Sequence, residues 1–239
     1  MNFLFYNPWP NEKKWLDIIK IKFKNHNIYT LKDKFNYLDI DAAIIWCLPN
    51  KFFSKLNNLK IIFSLGAGVD HILNLPSYNN TPIVRIKDSN MSSRMSNYAL
   101  SQVLNYQLKL SYYNIGQQKK IWLQEKETLH NYQIKIGILG VGYIGIAVGK
   151  FLQKLNYQVI GFKNSLTKIK TPFPIYKKNK LNNFIKESDI IISILPSTIQ
   201  TFNFIDKVFL NKMKKNSFLI NIGRGNSINE KDLIFHLKK

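Results

Sequence analysis

A chain of 239 residues, 45% hydrophobic and 21% charged, has an ordinary globular composition and is long enough for one large or two modest domains. Its net charge of +21 is almost wholly lysine, with arginine only at Arg85, Arg94 and Arg224. Lysines spread along the chain read as a solvated surface, and specific nucleic-acid binding is disfavoured, since arginine's planar fork is the better reader of phosphates and bases.

Short apolar runs alternate with amphipathic stretches, the pattern of an α/β protein with mainly parallel sheets. NFLFY (2–6), DAAIIWCL (41–48) and KIIFSL (60–65) read as buried strands, and PNEKKWLDIIKIKF (10–23) as a helix with Trp15, Ile18, Ile19 and Ile21 at apolar positions. The one cysteine, Cys47, lies in an apolar run and reads as a buried, inert thiol; alone, it excludes an intrachain disulfide. One long helical stretch is expected over 91–118, followed by strands in QIKIGILG (133–140), YQVIGF (157–162), DIIISILP (189–196) and SFLINIG (217–223). The segment 162–180 reads as a polar, Pro-containing loop. A boundary near residue 98 is expected, giving domains 1–98 and 99–239. No Cys/His cluster suggests a metal and no apolar run approaches a membrane span. MNFLFYNPWP lacks the basic start and long apolar core of a signal peptide, so the cytosol is the default location.

The strongest local signal is GILGVGYIGIAVGKFLQKL, with Gly140-x-Gly142-x-x-Gly145 placed between a strand and a helix. Gly140 permits a tight turn, Gly142 lets the backbone approach a pyrophosphate, Gly145 allows close helix–strand packing, and the helix start at Tyr143 and Ile144 favours an anion. The alternative is a glycine-rich structural turn of another α/β fold. The next strand runs into Lys163-Asn164-Ser165, with Lys168 nearby, where a carboxylate would hold the ribose hydroxyls of NAD. Lysine there favours NADPH over NADH, unless Lys163 is one more surface lysine.

Taken in order, SLGAGVD, GILGVGYIG, SILPSTIQT and NIGRG resemble the D-2-hydroxyacid dehydrogenases; SLGAGVDHIL, MSSRMSNYALSQVL and LPSTIQT are similar, more narrowly, to bacterial glyoxylate/hydroxypyruvate reductase A. The resemblance covers essentially the whole chain. It implies two Rossmann-like/flavodoxin-like domains with parallel sheets: a substrate-binding domain, then an NAD(P)-binding domain. It also implies NADPH-dependent reduction of a small 2-oxo acid, glyoxylate to glycolate or hydroxypyruvate to glycerate, by a homodimer. Ala67 and Gly68 would hold the substrate carboxylate through backbone N–H groups. Leu195, Pro196 and Thr201 would lie along the cofactor, and Arg224 would be the catalytic arginine that clamps the 2-oxo acid and polarises its carbonyl. The arginine-rich loop that reads the 2′-phosphate in these relatives is represented here only by Lys163, Asn164 and Ser165.

The family's general acid, a histidine paired with a glutamate, lies beyond the motif that contains Arg224. His236 sits too close after that motif, and its spacing from Leu233 and Leu237 is that of an ordinary helix position; His71, beside Asp70, matches no catalytic position. The resemblance therefore implies a second domain incomplete at its C-terminus. A frame break in the gene near Lys238-Lys239 is expected, because a helix ending there leaves a sheet edge uncovered. Two further readings remain at this point: an inactive remnant that at most binds dinucleotide, and a basic binding module without chemistry.

Overall fold

The computed structural model describes residues 1–124, 126–164 and 170–238. The chain divides into two compact units, Met1–Lys87 and Asp88–Lys239, each built on its own five-stranded parallel sheet.

The first unit contains, in chain order, β1 (Asn2–Tyr6), α1 (Glu12–Lys22), β2 (Asn27–Tyr29), β3 (Ala42–Ile45), α2 (Asn50–Phe53), β4 (Ile61–Ser64), α3 (Asp70–Leu73) and β5 (Ile83–Arg85). The strand order β2-β1-β3-β4-β5 is that of a flavodoxin-like doubly wound sheet, with its reversal between β1 and β3. The sheet is buried on both faces, as a parallel sheet must be. Phe3, Phe5, Ala42 and Ile44 fill one side, with Ile19 of α1; Leu4, Ala43, Ile45 and Ile62 fill the other. Of the apolar positions expected on α1, Ile19 is buried, whereas Ile18 and Ile21 are exposed.

The second unit contains α4 (Ser89–Gln107), α5 (Leu110–Gln118), β6 (Lys135–Leu139), α6 (Tyr143–Lys154), β7 (Gln158–Phe162), β8 (Ile175–Tyr176), α7 (Leu181–Glu187), β9 (Ile190–Ser193), α8 (Lys207–Lys212), β10 (Phe218–Asn221) and α9 (Glu230–Leu237). Its order is β10-β9-β6-β7-β8, so the unit's first strand in sequence lies at the centre and the chain reverses between β6 and β9. That crevice is where open α/β sheets hold ligands.

Two expectations need correction. The helical stretch expected over 91–118 is two helices: α4 starts at Ser89, capped by the Asp88 carboxylate on the Asn90 and Met91 N–H groups, and stops at Gln107. Lys109 then takes a left-handed conformation at φ 55°, the common way for a helix to end. The division expected near residue 98 falls in the middle of α4. The units part at Lys87–Asp88, because Ala99 and Val103 of this continuous helix pack into the second core with Val148 and Leu152 of α6. No helix among the described residues is long and apolar enough to cross a membrane.

Candidate functional site

The turn from β6 into α6 follows the physical logic of its glycines. Gly140 has φ +107°, a conformation that side chains resist, and a Cβ there would lie 2.8 Å from the Ile194 carbonyl oxygen. A Cβ at Gly145 would collide with the Gly140 carbonyl oxygen, whereas one at Gly142 would meet nothing within 4 Å. Gly142 is the N-cap residue of α6 and supplies no side-chain cap. Among the described residues no acceptor is found for the N–H groups of Tyr143, Ile144 and Gly145. The turn therefore presents open backbone donors at the positive end of a helix dipole, with free space in front of them.

Two further loops converge on this turn. After β9, Ile194 N–H donates to the Leu139 carbonyl at 2.8 Å, and the chain continues through Leu195 and Pro196. Thr201, expected along the cofactor, has a structural task here: its Oγ1 donates to the Pro196 carbonyl at 2.5 Å and accepts the Thr198 N–H at 2.9 Å. After β10, Gly223 lies so close to Leu195 that a Cβ would stand 2.6 Å from its carbonyl oxygen. Asn226 Nδ2 donates to Ser197 Oγ at 2.7 Å, tying the same two loops further along.

Arg224 sits in this third loop, half-buried, with its backbone locked. Asn221 forms an Asx turn, accepting the Gly223 N–H at 3.1 Å, and its Nδ2 donates to the Arg224 carbonyl at 3.1 Å. Ser227 adds its Oγ–H at 2.7 Å and its N–H at 3.2 Å to the same carbonyl. Sequence reasoning missed Asn221 and Ser227 as supports; the Asn-x-Gly spacing is the signal that could have found the first.

At the end of β7, Lys163 is half-buried and its N–H donates to the Tyr176 carbonyl at 3.1 Å, while Asn164 is exposed. Ser165 and Lys168 lie outside the described residues. His236 bonds to the Asp232 carbonyl through Nδ1 and to Asn211 Oδ1 through Nε2, both at 2.8 Å. Its ring joins α9 to α8.

In the first unit, the loop after β4 carries Ala67 and Gly68. All of Gly66–Asp70 is partly exposed. The N–H groups of Ala67, Gly68 and Val69 have no acceptor among the described residues. Successive open backbone donors suit an anion. Cys47, expected to be buried, is exposed, because β3 ends at Ile45 and Cys47 turns away in the left-handed region at φ 50°.

Among the described residues, two buried side-chain atoms lack a hydrogen-bond partner: Asn7 Nδ2 and Ser193 Oγ. Each lies at the C-terminal end of a strand beside a reversal, Asn7 just after β1 and Ser193 closing β9, where a ligand would be held. A separate concavity lined by Tyr106, Asp189, Lys214 and Ser217 lies at the opposite, N-terminal end of the second sheet. No cluster of three or more metal-ligating side chains occurs among the described residues.

The family described as D-isomer specific 2-hydroxyacid dehydrogenase, NAD binding domain, matches residues 100–239. The glyoxylate/hydroxypyruvate reductase A of Yersinia enterocolitica is 31% identical, over 98% of this chain and 76% of its own length. An NADPH-dependent glyoxylate/hydroxypyruvate reductase of Sinorhizobium meliloti, solved with NADP and sulfate, is similar at TM-score 0.89 and 26% identity, over 99% of this chain and 77% of that one. A D-isomer specific 2-hydroxyacid dehydrogenase of Xanthobacter autotrophicus, solved with NADPH and MES, shares the fold at TM-score 0.90 and 24% identity, over 99% of this chain and 76% of that one. A match through more than half of the chain, at the glycine turn and the arginine loop alike, means that the protein belongs to the D-isomer specific 2-hydroxyacid dehydrogenase family.

Proposed function

We propose that the protein reduces a small 2-oxo acid with NADPH, giving glycolate from glyoxylate or glycerate from hydroxypyruvate. The observation that carries this reading is the packing of the Arg224 loop against the Leu195 loop, which itself packs on the glycine turn. This supports a role for the Arg224 cation near a dinucleotide.

The residues fit the cofactor. The N–H groups of Tyr143, Ile144 and Gly145, reached across the open face of Gly142, hold the pyrophosphate. Leu195 and Pro196 line its path, and Ser193 Oγ is a buried hydroxyl at the same crevice. Lys163, with Asn164, would serve the ribose side, where a 2′-phosphate would meet positive charge. When bound, the cofactor would supply a hydride for the 2-oxo carbon.

The chain's own residues hold the substrate and manage its charge. As the carbonyl carbon is attacked, negative charge builds on its oxygen; the Arg224 guanidinium stabilises that charge without losing its own proton, and the oxygen takes its proton from solvent water to complete the hydroxy acid. Asn221 and Ser227 keep the Arg224 backbone still, so little reorganisation accompanies the step. The open N–H groups at Ala67 and Gly68 hold the carboxylate. His236 takes no part in this reading, since both its nitrogens face partners within α9 and α8. The names of the Yersinia and Sinorhizobium relatives support the substrate class, and the Sinorhizobium complex supports the cofactor. Exposed Leu110, Ile115, Ile121 and Trp122 suit the homodimer that the resemblance implies, which sedimentation would detect.

The test is NADPH consumption by the purified chain with glyoxylate and with hydroxypyruvate. Glycolate or glycerate forming in step with NADPH loss is expected. No consumption with either acid would contradict the assignment.

A further inference from the structure

The loop after β4 is closed on one hydroxyl. Ser64, only 3% exposed, donates its Oγ–H to the Gly68 carbonyl at 3.2 Å and accepts the Gly66 N–H at 3.4 Å. The same oxygen lies 3.2 Å from His71 Nε2. The other ring nitrogen of His71 lies 3.2 Å from the Cys47 amide nitrogen. A backbone N–H can only donate, so Nδ1 is the acceptor, and the neutral imidazole carries its proton on Nε2. The donors then run one way, from Cys47 N–H to Nδ1, from Nε2–H to Ser64 Oγ, and from Ser64 Oγ–H to the Gly68 carbonyl. The Trp46 ring packs against the imidazole, with centroids 4.2 Å apart. Gly66 in turn packs so closely on Trp46 that no side-chain carbon would fit between them.

This relay acts on the open donors. The Gly68–Val69 peptide is trans, so drawing the Gly68 carbonyl towards Ser64 turns the Val69 N–H to the opposite side. Ala67 and Gly68 lie between two points pinned to the same oxygen. We propose that His71 is the positioning residue for the substrate carboxylate. As the Nε2–H tautomer it ties the end of β3 to Ser64 and so sets the direction of the N–H groups at Ala67, Gly68 and Val69. The proposal deepens the reading of this loop as the carboxylate holder, and rests on it.

Oxamate, a 2-oxo acid mimic, is the probe, titrated against the whole chain with amide shifts read at Ala67, Gly68 and Val69. Imidazole ¹⁵N shifts should show His71 protonated on Nε2 and bare on Nδ1. His71→Leu, which removes both of its hydrogen bonds, should weaken oxamate by about tenfold. Ser64→Ala, a smaller change that leaves the Cys47 contact in place, should weaken it similarly. His71→Gln, whose amide can accept from Cys47 and donate to Ser64, should restore most of the affinity. If the unmodified chain takes no oxamate at these amides, the carboxylate reading falls and the role of His71 with it. If it binds oxamate but the Leu and Ala variants bind equally well, or the proton sits on Nδ1, the His71 assignment alone is overturned.

Discussion

Gly223 lies against the backbone of Leu195, where a side-chain carbon would stand 2.6 Å from the carbonyl oxygen and 2.8 Å from the amide nitrogen. Neither atom can move without disturbing the loop after β9, and Arg224 is the next residue. Gly223→Ala should therefore cost about 1–3 kcal/mol through overpacking and displace the guanidinium. Gly225, two residues on, has nothing within 4 Å of an added Cβ, so Gly225→Ala should stay within about 0.5 kcal/mol of the parent. Urea midpoints of the two variants decide the point.

The fingerprint glycines make a second contrast. Gly142→Ala meets open space and should fold like the parent, yet its methyl group would stand where a pyrophosphate approaches. NADPH affinity should fall by about tenfold or more. Gly145→Ala meets the Gly140 carbonyl oxygen, so it should lose both stability and dinucleotide binding. Calorimetric titration beside thermal unfolding separates the two outcomes.

The parts of the fold and site legible in the sequence are those whose chemistry is local. The run Lys135–Leu139, the glycines after it and the helix after those announce themselves, because turn, strand and helix preferences fall within twenty residues. The short edge strands β2, β5 and β8, of two or three residues, carry too little periodicity to be seen. Nor could the break at Lys109 be read, since lysine has no special liking for the left-handed region. The bond between His71 and Cys47 joins residues 24 apart; it exists only because β3 and β4 are neighbours in the sheet. Cys47 misled for a related reason: the apolar run continues past the strand, but the backbone leaves the core at its end.

Cofactor choice should turn on Lys163. Replacing it with a carboxylate, Lys163→Asp, should weaken NADPH and favour NADH by about tenfold, since Asp repels a 2′-phosphate and accepts from free ribose hydroxyls. Fluorescence titration of both cofactors against both proteins reads this directly. Tighter NADH binding by the unmodified chain would remove the basis for the NADPH assignment.

Stability in acid should depend on Glu187. Its carboxylate accepts from the Tyr176 hydroxyl at 2.7 Å and from Lys135 Nζ at 3.0 Å, and these bonds hold it below its ordinary value of 4.5. A depressed carboxylate contributes stability above the unfolded value and loses it as pH falls through the folded one. Denaturation midpoints should therefore fall as pH drops below about 4.5, and fall less steeply in Glu187→Gln. Parallel curves for the two proteins would show that this carboxylate is not linked to folding.

The central claim is hydride transfer to a 2-oxo acid under the charge of Arg224. It is tested most directly with NADPH deuterated at both C4 positions of its nicotinamide and with glyoxylate, analysing the glycolate by mass spectrometry. Glycolate with deuterium at C2 is expected from the unmodified chain. Arg224→Ala should be slower by about 10²–10³-fold, as for the loss of one group stabilising a developing oxyanion, and His236→Ala nearly unchanged. Glycolate without deuterium, or an Arg224→Ala variant as fast as the parent, would contradict the account.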